Sequence, residues 1–599
     1  MLYTIQCGAI REEHSGETVT LAGWIHRRRD HGGLIFIDLR DSHGLAQVVF
    51  NPSDTPGTHR AAEAFRAEWV VQVTGKVRRR PKGTVNPNLG TGEVEVIAET
   101  VTVLNEAKTP PFDITQDSPV DESLRLQYRY LDLRRQHMHD NIVLRHRVVQ
   151  FMREFLDRKG FLEIETPILT KSTPEGARDF LVPSRTYPGT FYALPQSPQQ
   201  IKQLLMVSGF DRYFQIARCF RDEGQRADRQ LEFTQLDLEM AYVNNIEDIL
   251  GLTEELFINL VRTLRPDKRI PDHFPRIPYR QAMADYGSDK PDLRFDLRLR
   301  ELTDLLTETP FNVLRNAIAD GGTIKGFAAP GMAGASRRET DELIEMARSF
   351  GAGGLITVGL AESSPSVDAL TPDDIRTQAR ALGIDEIKVL AKRMNAQPGD
   401  LLLLAAGPRS MVESVLGQLR VHLGHQLGLA DPNVFALAFI VDFPLFEWKE
   451  EEQRWDSSHH PFTAPWHEHW DILESHPGAV LSNAYDLVAN GSELGSGSIR
   501  IHNREQQGRI FSLLGYTQEE TDARFGHLLG AFEYGAPPHG GIAPGIDRLV
   551  VHLSDHAESI RDVIPFPKNQ TGLDPLFGSP SPVTPEQLDE LHIRTVPGE

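Results

Sequence analysis

The first 105 residues contain five short segments rich in β-branched residues, and this pattern constrains the fold more than any other feature. Turns that contain Gly, Asp, Asn or Pro separate the segments. They span residues 19–29, 34–41, 45–51, 69–80 and 92–104. Five short strands in so few residues predict a small β-barrel, and the five-stranded OB-fold is the barrel of this kind that binds oligonucleotides.

The charge of this N-terminal segment differs from that of the rest of the chain. The 599 residues carry a net charge of −21, whereas residues 1–105 contain 12 basic and 12 acidic residues. Within this neutral segment, basic residues cluster at Arg27–Arg29 and at Arg78–Arg80 with Lys82. The acidic total argues against a nonspecific nucleic-acid coat, while the basic clusters favour a nucleic-acid site at one end. A structural barrel with solvated arginines is the alternative.

The rest of the chain divides into blocks of different composition. Residues 106–140 contain Pro and many charges, which predicts a hinge or linker. Residues 141–294 and 426–570 mix strand-like runs with polar loops and are predicted to form the two parts of one catalytic domain. Residues 295–425 are rich in Ala, Gly and Leu, which predicts an inserted α+β domain, and residues 571–599 are predicted to be a C-terminal extension. The fold class expected is therefore a multidomain α+β protein.

The sequence also predicts where the protein works. The longest apolar run, Val434–Val441, has eight residues, and about 20 are needed to cross a bilayer. The N-terminus lacks the basic start and apolar stretch of a signal peptide. Cys7 and Cys219 are too few for a disulfide framework. A cytoplasmic protein without membrane contact is expected.

Three polar clusters outside the N-terminal barrel carry the candidate chemistry, and the chain contains no P-loop sequence. The clusters are residues 220–240 (FRDEGQRADRQLEFTQLDLEM), 491–503 (GSELGSGSIRIHN) and 535–553 (GAPPHGGIAPGIDRLVVHL). Arginine suits phosphate, carboxylates suit a divalent cation or an amine, and glycine lets the backbone approach a ligand. Taken singly, they also fit a surface salt-bridge ladder, a glycine turn and a tight turn with an exposed arginine.

These clusters, in this order, resemble the motifs of the class II aminoacyl-tRNA synthetases. GFLEIETPIL (160–169) resembles motif 1, with Pro167 at a dimer interface, FRDE and the loop through Gln230 resemble motif 2, and GIDRL (545–549) resembles motif 3. The strings YRYLDLRR, TKSTPEGARDFLVPSR, YGSDKPDLR and IRDVIPFPK resemble the bacterial aspartyl-tRNA synthetases in particular. The resemblance implies an antiparallel six-stranded catalytic sheet, an N-terminal OB-fold that binds the anticodon, and a homodimer.

The resemblance implies a site for aspartate. Lys202 and Arg500 supply the positive charges that the side-chain carboxylate needs, which argues against a lysine-specific relative. Asp237 and Glu175 suit the ammonium group. The other residues predicted to bind aspartate are Ser197, Gln199, Arg221 and His459.

The resemblance also implies that ATP is a substrate and Mg²⁺ a cofactor. The predicted ATP-binding residues are Arg221, Asp222, Glu223, Gln230, Glu493, Gly545, Ile546, Asp547 and Arg548. Glu493 is assigned to Mg²⁺ through ATP. The aspartate α-carboxylate attacks the α-phosphorus, pyrophosphate leaves, and the terminal hydroxyl of the tRNA attacks the mixed anhydride. Catalysis by Arg221, Arg548 and Glu493 is then mainly positioning and charge neutralisation.

In the barrel, Phe36 resembles the residue that stacks on an anticodon base, although the strand pattern alone favours a core position for it. The other residues that resemble anticodon readers are Arg29, Gln47 and Glu95. His31 stands where members specific for tRNA-Asp commonly have Leu, and Gly83 stands where they often carry a bulkier or charged residue. His31 and Gly83 resemble the non-discriminating members, which aspartylate both tRNA-Asp and tRNA-Asn.

The sequence therefore predicts an ATP-dependent aspartate–tRNA ligase that acts on both tRNAs, with an Asp-tRNA-Asn amidotransferase as a downstream partner. A ligase restricted to tRNA-Asp is the first alternative. A non-catalytic tRNA-binding paralogue is the second, although Arg221, Glu223, Glu493 and Arg548 are all present. A synthetase-derived asparagine synthetase is the third, and the N-terminal barrel argues against it. The main prediction requires Lys202, Arg500, Arg221 and Arg548 to line one pocket.

Overall fold

The structure is a computed structural model that describes residues 1–116, 118–173, 177–224 and 228–596. The chain forms two compact units. The first comprises Met1–Asp140 with Asp574–Ser579, and the second comprises Asn141–Leu573 with Pro580–Glu599. The finer domain boundaries given above stay a prediction. Among the described helices, none has both the length and the apolar character needed to span a bilayer.

The N-terminal barrel is confirmed as a closed five-stranded barrel. Its strands are Thr18–His31, Leu34–Asp41, Gly44–Phe50, Val70–Arg79 and Val94–Asn105, and the fifth pairs with both the third and the fourth. Along the second strand, Ile35, Ile37 and Leu39 are buried in the barrel core. Because side chains alternate across a strand, the half-buried Phe36 lies on the opposite, outer face. The interpretation of Phe36 as a core residue is therefore wrong.

The segment predicted to be a linker is structured and packs on the barrel. It contains the helices Glu122–Gln127 and Arg129–Asp132. Arg134 forms an ion pair of 2.8 Å with the buried Glu68, and its guanidinium lies 4.8 Å from the centre of the Trp24 ring. These contacts make the segment part of the first unit rather than a free connection.

The catalytic sheet has eight strands, not the six expected. In order they are Arg276–Pro278, Leu437–Val441, Ala484–Ala489, Ser492–Ile499, His539–Pro544, Glu232–Ala241, Arg212–Phe220 and Leu162–Glu163. The six central strands are antiparallel, and the strand at each edge pairs in parallel. The edge strands have only two or three residues, too few to give a recognisable alternation. The helices of this part are Gln136–Arg158, Gln199–Val207, Glu247–Leu264, Tyr279–Tyr286, Arg504–Leu513, Gln518–Phe532 and Ile546–Leu553.

The inserted segment forms an α+β domain, as its composition predicted. Its five-stranded sheet has the order Arg300–Glu301, Thr323–Ala329, Leu401–Gly407, Ile356–Leu360 and Ile375–Thr377. Its helices are Asn312–Ala319, Arg337–Ser349, Ile384–Arg393 and Arg409–Gln426. Leu403 belongs to one apolar cluster, whereas Leu402 and Leu404 belong to another. The sheet is therefore buried on both faces, which explains its continuous apolar runs.

The remaining elements are short. They are the hairpins Leu181–Pro183 with Phe191–Ala193 and Phe446–Lys449 with Arg454–Ser457, and the helices Pro56–Glu63 and Pro585–Glu590. Single turns of 3-10 helix occur between the larger elements, for example at Cys7–Ala9 and Ile560–Asp562.

Candidate active site

A cavity of about 430 Å³ opens on the catalytic sheet and is lined by residues from all three polar clusters. Lys202, Arg221, Arg500 and Arg548 all contribute to its wall. The requirement that these four basic residues share one pocket is thus met. Ser197, Gln199, Asp237 and His459, which were predicted to bind aspartate, line the same cavity.

Two buried cations, Lys202 and Arg500, and the buried Asp237 form the floor of the cavity, and the buried Glu239 lies against them without lining it. Lys202 lies on the helix Gln199–Val207, and its Nζ is 2.7 Å from Asp237 Oδ1 and 3.1 Å from Glu239 Oε2. Arg500 follows the strand Ser492–Ile499, and its Nε donates to Glu239 Oε1 over 3.0 Å. Each of the four side chains is at most 5% exposed. Glu239 is therefore the carboxylate that both cations share.

Burial raises the pKa of both carboxyls, and the two differ in how far the neighbouring cations reverse this effect. Burial raises the pKa of the Asp237 carboxyl, and the neighbouring Lys202 only partly opposes this effect. Burial also opposes ionisation of Glu239, but Arg500 and Lys202 together lower its pKa to about 2. Asp237 Oδ2 is buried and accepts no hydrogen bond from the described residues. A buried acceptor without a donor is costly, so this oxygen suits a ligand that brings a donor.

His459 and Glu493 line another side of the cavity, and Asp486 lies next to them outside the lining. His459 Nε2 lies 3.4 Å from Asp486 Oδ1, and its ring packs edge-on against Phe443 with centroids 4.3 Å apart. Burial lowers the pKa of His459, but Asp486 and Glu493 outweigh it and raise the pKa overall. The pKa of Glu493 is raised by burial and by Asp486, against the opposing effect of Arg548. Two acidic groups so close together favour a cation between them.

The opposite wall carries the predicted nucleotide residues. The Arg221 guanidinium lies 5.1 Å from the centre of the Phe233 ring. Arg548 donates from one nitrogen to the Glu493 carbonyl oxygen over 2.7 Å and pairs from the other with Asp228 at 3.4 Å. Both guanidinium groups are partly exposed on the cavity wall, so they remain accessible to an anion.

In the first unit, the predicted anticodon readers form one polar network on the barrel. Arg29 donates to Asp38 over 2.6 Å and to Gln47 over 3.2 Å. Gln47 in turn donates to Glu95 over 2.8 Å, and Glu95 also accepts from Arg78 over 2.8 Å. The network orients these side chains beside Phe36, on the outer face of the strand Leu34–Asp41.

His31 and Gly83 are both exposed. His31 ends the first strand opposite Leu34, and the two intervening glycines have positive φ angles of 59° and 80°. Gly83 has a φ of 85°, and a Cβ added there would meet no atom within 4 Å. His31 therefore stands at the tip of a tight hairpin, and Gly83 lies in a left-handed turn.

Residues 121–570 match the family described as tRNA synthetases class II (D, K and N). The chain belongs to the class II tRNA synthetases. Residues 19–104 of this synthetase match the family described as OB-fold nucleic acid binding domain. Relatives named Aspartate--tRNA(Asp/Asn) ligase occur in Dehalococcoides mccartyi, 54% identical over 99% of both chains, and in Moorella thermoacetica, 54% identical over 98% of this chain and 96% of the relative.

Solved structures support the fold of the synthetase. Asparaginyl-tRNA synthetase from Pyrococcus horikoshii, complexed with asparaginyl-adenylate, has a TM-score of 0.58 at 19% identity and covers 95% of this chain and 98% of its own. The asparaginyl-tRNA synthetase of Entamoeba histolytica has a TM-score of 0.57 at 18% identity and covers 94% of this chain and 98% of its own. At these identities the likeness concerns the fold alone.

Some predicted nucleotide residues of the synthetase have other surroundings. Ile546 is fully buried in the apolar core, and Asp222 forms a main-chain bridge with Arg178 outside the cavity lining.

Other predicted nucleotide residues line the cavity but already have partners within the protein. Asp547 lines the cavity, but its carboxylate accepts from the Thr234 amide over 2.9 Å and pairs with Arg145. Gln230 lines the cavity, and its amide exchanges two hydrogen bonds of 3.1 Å with the backbone of Lys568. Glu223 lines it too and pairs with Arg229 at 2.6 Å.

Glu175 lies outside the residues that the structure describes. Sequence reasoning missed Glu239 and Asp486. Glu239 follows Asp237 by two positions in a strand, and that spacing places both side chains on one face, so the signal was available. Asp486 carried no signal, because it lies in an apolar strand, Ala484–Ala489, just before the second polar cluster and outside every motif.

Proposed function

We propose that the chain attaches L-aspartate to tRNA through an aspartyl-adenylate made from ATP. The observation that carries this proposal is the buried pair Lys202 and Arg500, which share Glu239 in a cavity that Arg221 and Arg548 also line. The four buried groups, Lys202, Arg500, Asp237 and Glu239, sum to zero charge. The side-chain carboxylate and ammonium of aspartate also sum to zero, so binding leaves the floor of the cavity balanced.

Aspartate then binds with its side-chain carboxylate between Lys202 and Arg500. Its ammonium group donates to Asp237 Oδ2, the buried oxygen that accepts no hydrogen bond from the described residues. An asparagine side chain would bring no charge to the two cations, and a lysine side chain would bring the wrong sign. The floor of the cavity thus selects an acidic amino acid.

The reaction needs positioning rather than a protein nucleophile. The α-carboxylate attacks the α-phosphorus in line, and Arg221 and Arg548 neutralise the charge that develops on the phosphate oxygens. Glu493, which lines the cavity, and the nearby buried Asp486 would hold Mg²⁺, since a cation would relieve the repulsion between these two carboxylates. When bound, Mg²⁺ neutralises phosphate charge.

The anticodon of the tRNA binds to the outer face of the barrel, where Phe36 stacks on a base and the Arg29, Gln47 and Glu95 network reads base edges. His31 and Gly83 leave the third anticodon position tolerant, so both tRNA-Asp and tRNA-Asn are charged. Aspartate on tRNA-Asn then requires an amidotransferase that converts it to asparagine. We propose that the reaction takes place in the cytoplasm, because that is where tRNA is charged.

A homodimer is part of the proposal. Exposed apolar side chains gather in and after the segment that resembles motif 1, namely Leu162, Ile168, Leu169, Leu181, Tyr187 and Phe191. A large exposed apolar surface of this kind marks a protein interface. A second copy of the chain would cover it.

The function is tested by two assays on the full-length enzyme. Aspartate-dependent exchange of pyrophosphate into ATP is expected, with no exchange when asparagine or lysine replaces aspartate. Charging with pure aspartate is expected on both tRNA-Asp and tRNA-Asn. Absence of exchange would favour the non-catalytic paralogue, and charging of tRNA-Asp alone would favour the discriminating ligase.

Replacing His31 with Leu is expected to reduce charging of tRNA-Asn about tenfold relative to tRNA-Asp, because a bulkier apolar side chain at the hairpin tip penalises one anticodon base. The measurement is kcat/KM for each tRNA with pure aspartate. The matched control is His43→Leu, which changes an exposed histidine in the turn at the other end of the second strand. Equal losses on the two tRNAs in His31→Leu would contradict its role in discrimination.

A further inference from the structure

A buried arginine of the insertion domain holds main chain that leads to the catalytic cavity. Arg420 lies on the helix Arg409–Gln426 and is fully buried. Its guanidinium donates to the carbonyl oxygens of Leu297 over 2.9 Å, Asp292 over 2.8 Å and Phe295 over 2.7 Å. It also lies between the rings of Tyr286 and Phe295, 4.9 and 4.4 Å from their centres.

The same helix fits closely against the start of this segment. A Cβ added at Gly417 would lie 2.5 Å from the Gly287 carbonyl oxygen, so the two backbones meet without room for a side chain. Lys325 of the insertion sheet donates to the Ala284 carbonyl oxygen over 3.0 Å and pairs with Glu413 of the helix at 2.6 Å. The insertion domain therefore clamps residues 284–297 at several points along the main chain.

Residues 284–297, together with the helix Tyr279–Tyr286 that leads into them, contact the His459 side of the cavity by two routes. The helix Tyr279–Tyr286 begins with Tyr279, whose ring lies 5.0 Å from that of Phe443, and Phe443 supports the His459 ring at 4.3 Å. Asp292 lies beside the turn that precedes Glu493, since a Cβ added at Gly491 would be 3.6 Å from Asp292 Cβ. A shift of this segment would therefore move the groups that hold His459 and Glu493.

We propose that the insertion domain positions the His459 side of the catalytic cavity, with Arg420 as the positioning residue. The proposal rests on the proposed function and on the assignment of His459, which lines the cavity, to aspartate binding, as the family resemblance implies. Burying a guanidinium is costly unless its donors are satisfied, and an apolar residue would serve packing alone at lower cost. Directed bonds to three carbonyl oxygens instead fix the path of the main chain between the two domains.

The test is the kinetics of pyrophosphate exchange by Arg420→Met, normalised to the number of active sites. The KM for aspartate is expected to rise about tenfold, as residues that couple through packed contacts often show. The KM for ATP should rise less than the KM for aspartate, because the segment reaches Glu493 only through the turn at Gly491. The kcat should stay within about twofold. Arg420→Lys keeps the positive charge but loses the forked set of donors. Its KM for aspartate should lie between the values for wild type and Arg420→Met. Arg338→Met is the control, because Arg338 is exposed on the same domain and forms a surface ion pair with Glu342 at 2.8 Å.

A double variant separates positioning from general destabilisation. Tyr279→Leu breaks the ring contact with Phe443 at the far end of the route and should raise the same KM. If both act through one path, the double variant should not exceed the larger single effect by more than about twofold. Three results would overturn the inference. The first is a double variant whose rise in the KM for aspartate is the product of the two single rises. The others are an equal rise of the KM for aspartate and the KM for ATP in Arg420→Met, and a loss of active sites in that variant with both KM values unchanged. An inactive wild-type enzyme would instead overturn the proposed function.

Discussion

Asp237→Asn is expected to lower kcat/KM for aspartate about a thousandfold in pyrophosphate exchange, because truncating one partner of a buried charge pair costs several kcal/mol. The variant keeps the shape of the side chain but removes the negative charge that faces the substrate ammonium. It also leaves Lys202 with Glu239 as its remaining carboxylate partner, so the floor of the cavity gains one positive charge. The KM for ATP should change little, since Arg221 and Arg548, rather than Asp237, are the residues proposed to bind the nucleotide.

The matched control is Asp211→Asn. Asp211 is exposed and directly precedes the strand Arg212–Phe220, which pairs with the strand of Asp237. The control should retain wild-type kinetics, because its charge is screened by water. A normal KM for aspartate in Asp237→Asn would remove this carboxylate from the substrate site and would require another acceptor for the ammonium group.

Glu239→Gln is expected to reduce the free energy of unfolding by about 3–5 kcal/mol, because Lys202 and Arg500 would lose the buried carboxylate that they share. The difference should depend on pH. The pKa of Glu239 falls from an ordinary 4.5 to about 2 in the folded protein. Its stabilising contribution is therefore complete above pH 4.5 and is lost as the pH falls toward 2.

Chemical denaturation at several pH values measures this difference. Glu232→Gln is the control, since Glu232 lies on the same strand and also pairs with two cations, Lys568 and Arg218, but near the surface, where an ion pair contributes about 1 kcal/mol or less. The stability curves of wild type and Glu239→Gln should converge at low pH. For the control the difference from wild type should be smaller at neutral pH, and it should also shrink at low pH, because, against the effect of burial, Lys568 and Arg218 lower the pKa of Glu232. A small loss without pH dependence in Glu239→Gln would mean that Glu239 is not the shared counter-charge.

Local patterns predicted much of this fold, and tertiary contacts decided the rest. Alternation located the barrel strands, and the register of one strand then placed Phe36 outside, where residue type alone favoured the core. The four cavity cations, Lys202, Arg221, Arg500 and Arg548, came from the resemblance to the family's motifs, since the residue patterns alone also allowed surface turns and salt bridges. Arg420 had no such signal, since a single arginine in a helical sequence is normally solvated. Its burial depends on a second domain that the local sequence does not describe.

His31 and Gly83 are the two positions proposed to set tRNA discrimination, and the left-handed backbone at Gly83 makes them unequal as routes to a new specificity. Space is open around Gly83, yet any L-residue there would have to adopt a φ of 85°, which costs about 1–2 kcal/mol. His31 lies at the end of a regular strand, where most side chains are tolerated. A lineage that narrows its tRNA range would therefore change position 31 by a single substitution, and would have to rebuild the loop before position 83 could follow.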